Sequence, residues 1–145
     1  MVVVQPQVAT RAELLALFAQ RAARKIRDPS LPAERIAELL EARERQQATA
    51  VPEGIAFPHV IDASVRATLV GAALLRPALR YCDGAAPVAL CFVLLGSSAT
   101  PWVHVRTLAR LARLVHQPDA RDRITSARDD ADLLARLVAE DRSHG

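Results

Sequence analysis

The spacing of apolar positions changes from helical to continuous near Gly54 and returns to helical near Val103. Before the first change, Leu14, Leu17, Phe18, Ala22 and Ile26 recur at the spacing of one helix face. Thr10-Arg11-Ala12-Glu13 stands ahead of them as a capping box, in which a hydroxyl and a carboxylate satisfy each other's backbone N–H groups. Asp28-Pro29 ends this helix. Ser30 is the expected N-cap of a second helix, with Pro32 near its first turn, Ile36, Leu39 and Leu40 as its apolar stripe, and Glu41 to Gln47 as its polar tail.

The middle of the chain reads as strands. Gly54 to His59 is a short one. Pro58 fixes its own φ and withholds an N–H, so that strand is expected to stop there, at a sheet edge or rim. Ala67 to Leu75 and Val88 to Leu95 are almost wholly apolar, as in strands buried on both faces. The connection from Arg76 to Pro87 holds an Asp-Gly turn signal and is too short for a helical crossover, so the two strands are expected to be antiparallel neighbours or joined by a tight loop. Helical spacing then returns with Val105, Leu108, Leu111, Ala112 and Val115 on one face, and Pro118 ends that helix. Ser126 and Asp129 are the expected cap of a last helix, with Leu133, Leu134, Leu137 and Val138 facing inward. Helices, then strands, then helices predict an α/β (α+β) fold in which a mixed central sheet carries helices on both faces. Residues 1–9 are expected to form a strand or a flexible arm.

Composition narrows the function classes. A chain of 145 residues with 51% hydrophobic residues suits one compact domain. No apolar stretch approaches the roughly 20 residues a membrane span needs, and Met1 to Val8 has no basic start to act as a secretory signal. A cytoplasmic protein is expected, with Cys82 and Cys91 as thiols. Net charge is +3, carried by arginines and the single Lys25, and aromatics are only 3%, which leaves no base-stacking platform for nucleic acid.

Four histidines remain as candidate chemistry. His116 at a helix end and His144 in the C-terminal tail read as surface residues. His59 reads either as a half-buried side chain bonded to a neighbouring carbonyl or as a reactive group. His104 opens a helix, where free N–H groups suit an anion, or is only a polar first-turn residue. No Cys-x-x-Cys, His-x-x-x-His or paired carboxylates accompany them, so no metal site is expected.

Three stretches together resemble the enzyme IIA domains of the sugar phosphotransferase system, of the fructose/mannitol class and its nitrogen-related branch. The first is "LLEARERQQATAVPEGIAFPH", where a helix ends in an Arg-Glu pair and a Ser/Thr precedes Gly-Ile-Ala-x-Pro-His. The second is "DGAAPVALCFVLLG", and the third is "HVRTLARLARLVHQPDARDRITSARDDADLLARL", where a His opens a Leu-rich helix. The resemblance implies that His59 accepts a phosphoryl group from phospho-HPr and hands it to an enzyme IIB domain. It places His104 beside His59 to stabilise the group, Arg43 to pair with its oxygens, and Thr49 in support. It implies no cofactor and no metal. Pro52 stands where the family has a glycine, Val60 follows the histidine where a small or polar residue is usual, and the Asp-Gly turn is one residue longer.

The chemistry of these residue types fits. Phosphoryl transfer needs an in-line nucleophile and compensation of charge on the equatorial oxygens. A neutral imidazole supplies the first near pH 7, and a guanidinium and a donating imidazole supply the second. Exposed apolar residues are expected round the site for a protein partner: Val60, Ile61 and Trp102, with core packing the other reading for Trp102. A second functional reading uses the same fold as a regulatory module that docks on a transporter or other target without obligatory phosphotransfer. A third treats the histidines as incidental and predicts that His59 and His104 lie far apart.

Overall fold

The computed structural model describes residues 1–144, with the side chain of His144 outside the described residues. Strand β1 (Val2–Val4) leads into helices α1 (Arg11–Ile26) and α2 (Ala33–Gln46). Strands β2 (Ile55–Ala56), β3 (His59–Asp62), β4 (Leu69–Leu79) and β5 (Val88–Ser97) follow, then helices α3 (Pro101–His116), α4 (Pro118–Thr125) and α5 (Asp130–His144).

The sheet runs β1-β4-β5-β2, with β3 also paired to β5. β4 and β5 are antiparallel, as their short connection requires, and the remaining pairings are parallel. Alternate residues of the two long strands feed two cores. Gly71, Ala73, Cys91, Val93 and Leu95 belong with α1 and α2, where Leu14, Leu15, Phe18, Ile36 and Leu40 are buried. Ala72, Leu74, Leu90, Phe92 and Leu94 belong with α3 to α5, where Leu114, Ile124 and Leu133 are buried. Helices therefore cover both faces, as the uninterrupted apolar runs predict.

Several expectations about element ends give way. β4 extends past Pro77 to Leu79, after a register shift, so the loop to β5 begins at Arg80. The strand that begins at Gly54 is interrupted at Pro58, as expected, but pairing to β5 resumes at once, β2 ending at Ala56 and β3 opening at His59. β2 and β3 keep one register along β5, with Ile55 opposite Leu90 and His59 opposite Leu94, and the Pro58 carbonyl still accepts from Leu94 N–H at 3.0 Å. Together they form one edge of the sheet; the Pro58 carbonyl faces β5, so its nitrogen does too, and the missing N–H leaves a gap in the ladder between β2 and β3. Ser30 does not cap α2. Pro32 takes the cap position, and the Ser30 hydroxyl is held by Asp28 and Ser64. Asp129, not Ser126, caps α5, its Oδ1 accepting from Asp132 N–H at 2.8 Å. Leu134, Val138 and Val105 are exposed at 51%, 40% and 62%, because α3 and α5 each turn a narrower face to the sheet than their apolar spacing suggests. The Thr10 cap forms as expected, with Thr10 Oγ1 accepting from Glu13 N–H and Glu13 Oε2 accepting from Ala9 N–H. Cys82 and Cys91 are free thiols, Cys91 fully buried in β5.

Close packing of α1 on the sheet depends on Gly71. A Cβ there would lie 2.7 Å from Val93 Cγ1 and 2.8 Å from Phe18 Cε1. Gly71→Ala is therefore expected to destabilise the domain by about 1–3 kcal/mol, through overpacking of a rigid core. A urea-unfolding midpoint equal to that of the parent protein would show that α1 floats on the sheet rather than locking to it.

Candidate active site

The two histidines meet at the edge of the sheet. His59 is the first residue of β3 and His104 lies in the first turn of α3. Their ring centroids are 5.5 Å apart, with the planes tilted by 52°. Strand parity brings this about: Phe57, His59 and Ile61 face α3, while Val60 faces the α1/α2 side. Separation of the two rings, which an incidental pair of histidines would show, is thereby excluded.

His59 is half-buried, and its Nδ1 lies 2.7 Å from the Phe57 carbonyl oxygen. A carbonyl only accepts, so Nδ1 carries the proton and Nε2 keeps a lone pair. The reading of His59 as bonded to a neighbouring carbonyl is thus correct, and that bond leaves one nitrogen nucleophilic.

His104 is not an open first-turn residue. It is only 2% exposed, and neither ring nitrogen has a hydrogen-bond partner among the described residues. Each unpaired buried polar atom costs about 1–3 kcal/mol, a cost that marks functional groups. Gly96 of β5 makes the placement possible: a Cβ there would lie 2.3 Å from His104 Nδ1 and 2.8 Å from its Cγ. Burial first, and then the neighbouring His59, hold the His104 pKa below its ordinary value of 6.5. His104 is therefore neutral at pH 7 and has one N–H to donate.

Thr49 does not touch either ring; it acts through residue 57. Its hydroxyl accepts from Phe57 N–H at 3.1 Å and donates to Glu44 Oε1 at 2.8 Å. Glu44, 2% exposed, is the functional candidate that the reading of single residues missed; the Arg-Glu pair at the end of α2 contained the signal. Arg43 is not drawn to the histidines. Its guanidinium donates to the Gln47 carbonyl at 2.9 Å and makes no ion pair among the described residues. It rides on the last turns of α2, which packs against β3.

Pro52 fits its place without disturbing the site. Residues Val51 to Gly54 form a tight turn, closed by Gly54 N–H to the Val51 carbonyl at 3.0 Å, with Pro52 at the second position that favours proline. Gly54 is needed there, with a φ of +75° and the Pro87 carbonyl oxygen 2.9 Å from any Cβ it might carry.

Of the expected apolar rim, Ile61 and Trp102 are exposed at 43% and 59%, which removes the core reading of Trp102. Val60 is a correction: it is half-buried against the α1/α2 core, because β3 turns it to the opposite face from His59. His116 is exposed at the end of α3.

Two measurements test this geometry. Val60→Asp should lower stability by on the order of 2 kcal/mol, by forcing a carboxylate against the core, and an unchanged unfolding midpoint would place Val60 outside it. The His104 ring should titrate below 6.5 in NMR spectra. Its folded pKa is depressed relative to the unfolded chain, so the unfolded state binds more protons in that window. Stability is then complete above about pH 6.5 and falls as pH drops toward the folded value; His104→Gln should flatten that slope. An identical slope in the variant would contradict the assignment.

Residues 1–139 match the family described as phosphoenolpyruvate-dependent sugar phosphotransferase system, EIIA 2. A protein of Pseudomonas aeruginosa named "Nitrogen regulatory protein" is 32% identical over 133 residues, which cover 90% of this chain and 84% of that protein. Among solved structures, the nitrogen regulatory protein IIA-Ntr of Neisseria meningitidis superposes with a TM-score of 0.80 at 24% identity, over 94% of this chain and 92% of that one. Enzyme IIA mannitol of Escherichia coli, solved in complex with phosphorylated enzyme IIB mannitol, superposes with a TM-score of 0.76 at 15% identity, over 95% of this chain and 94% of that one. Both share its fold of a mixed sheet between helical layers. Matched by sequence over residues 1–139, this chain belongs to the EIIA 2 family of the phosphoenolpyruvate-dependent sugar phosphotransferase system, a phosphocarrier family.

Proposed function

We propose that His59 is the phosphoryl acceptor of this phosphocarrier, attacking through Nε2, and that a phospho-HPr-like protein is the donor and an enzyme IIB domain the acceptor. The observation that carries the reading is the pairing of a tautomerically fixed His59 with a buried His104 whose nitrogens have no hydrogen-bond partner among the described residues.

In the transfer, the Nε2 lone pair of His59 forms a new N–P bond as the N–P bond to the donor's imidazole breaks, and the electron pair returns to that imidazole. The His59 ring gains positive charge while Nδ1 keeps its proton, and the Phe57 carbonyl oxygen, 2.7 Å away, stabilises that charge. Neutral His104 turns one N–H toward an equatorial oxygen. The site is already organised, so the donation requires no rearrangement at the moment of reaction. Arg43, released from the Gln47 carbonyl, pairs with the remaining oxygens from the end of α2. The donor brings its phosphoryl group already positioned, so positioning and charge compensation complete the chemistry. Passing the group on is the same step in reverse, with the IIB nucleophile on the far side of phosphorus. Ile61 and Trp102 supply exposed apolar contact on either side of the pair, with Val60 supporting β3 from beneath.

A regulatory use of the same surface is supported by the similarity to the "Nitrogen regulatory protein" of Pseudomonas aeruginosa. A target would then read the phosphorylation state of His59. Binding of a transport or regulatory protein that survives His59→Ala would favour docking without obligatory phosphotransfer.

Incubation with phosphoenolpyruvate, enzyme I and an HPr-type donor should give an adduct that survives alkali and is lost in mild acid. His59→Ala should give none, and His104→Gln should slow its formation by about 100-fold, as loss of a charge-stabilising donor does. No adduct with the cognate donor, or an undiminished adduct in His59→Ala, would overturn the assignment.

A further inference from the structure

We infer that Glu44 is a positioning residue for the phosphoryl acceptor: its buried carboxylate, acting through the Thr49 hydroxyl and residue 57, sets which nitrogen of His59 is free to react. This rests on the role of His59 proposed above.

Glu44 is a carboxylate only 2% exposed, and among the described residues it forms no salt bridge. The nearby guanidinium of Arg11 is committed to Glu41 at 2.9 Å and stands over the Tyr81 ring. Burying a charge without a direct counter-ion costs several kcal/mol, so hydrogen bonds must offset it. The Tyr81 hydroxyl faces the same carboxylate, and two hydrogen bonds come from one residue. Thr49 N–H donates to Oε2 at 3.0 Å, and the Thr49 hydroxyl donates to Oε1 at 2.8 Å.

That arrangement gives the relay a direction. An ionised carboxylate accepts only, so the single hydroxyl proton of Thr49 is committed to Glu44. Its oxygen is left as an acceptor, and the donor it meets is Phe57 N–H, at 3.1 Å. Residue 57 is then fixed from three sides. Its N–H is held by Thr49. Its ring stacks on Phe92, with centroids 5.8 Å apart and planes at 16°. Its carbonyl precedes Pro58, which confines residue 57 to extended backbone. With residue 57 fixed, its carbonyl oxygen lies 2.7 Å from His59 Nδ1 and selects the tautomer protonated there. Histidine in water favours the other tautomer, in which Nε2 carries the proton and cannot attack. The relay therefore inverts a preference of the free side chain.

A purely structural role for Glu44 and Thr49, closing the turn between α2 and β2, predicts altered stability and nothing at His59. The tautomer separates the two. Long-range 1H–15N spectra of the unphosphorylated protein, recorded at alkaline pH, should show Nδ1 protonated and Nε2 unprotonated. Thr49→Val removes the hydroxyl at nearly constant volume. It should move both His59 nitrogens toward an averaged mixture of tautomers and slow phosphorylation by about 10-fold or more, as misplacement of a reacting group does. Thr49→Ser should restore both. Glu44→Gln offers one acceptor where two are needed and should shift the nitrogens in the same direction. Folded Thr49→Val or Glu44→Gln proteins with the parental His59 spectrum would overturn the inference; if one variant does not fold, the other decides. The spectra need no phosphoryl donor. Failure of the parent protein to accept phosphate would count against the function proposed above and leave the relay to be judged by the tautomer alone.

Discussion

The site depends on an edge strand that crosses a proline without losing register. β2 and β3 face β5 in one register on either side of the proline, with Ile55 opposite Leu90 and His59 opposite Leu94. Proline at 58 removes one ladder bond to β5, and the pairing on either side of it holds the register. The same proline holds residue 57 extended, so the Phe57 carbonyl is in place for the His59 ring. A one-residue slip in this pairing would turn His59 toward α2 and bring Val60 to face α3. Local backbone chemistry, sheet register and the choice of reactive nitrogen are consequences of that one pairing.

The second half of the site is assembled by the absence of a side chain. Gly96 leaves the surface of β5 bare where the first turn of α3 crosses it, and the His104 ring fills the space. Burial there makes a charged imidazole unfavourable, which favours the neutral form of His104. The two rings approach to 5.5 Å, a contact that a charge on both would oppose. Arg43 lies outside this contact; its guanidinium donates to the Gln47 carbonyl and makes no ion pair among the described residues.

How much of this was legible in the sequence follows from the range of each signal. The capping box at Thr10 and the apolar runs of β4 and β5 are local or periodic, and both form as read. The convergence of His59 and His104 is not periodic; it was reached through motif resemblance, and the geometry agrees. The misses share another cause. Whether Val60 faces in or out depends on the register in which β3 resumes beside β5 after Pro58, a property of the whole sheet. Leu134, Val138 and Val105 have helical spacing and yet lie exposed, because spacing gives a stripe and not the width of the surface that receives it. Glu44 sits in a run of charged residues that reads as a solvated tail; its burial appears only when the following turn folds Thr49 back onto it.

The most direct test of the account is the position of phosphorus on the ring. In the phosphorylated protein, 15N spectra that resolve phosphorus coupling to the imidazole nitrogens should place the phosphoryl group on Nε2 of residue 59, with the Nδ1 proton still protected by the carbonyl of residue 57. A phosphoryl group on Nδ1, or on any other residue, would contradict it.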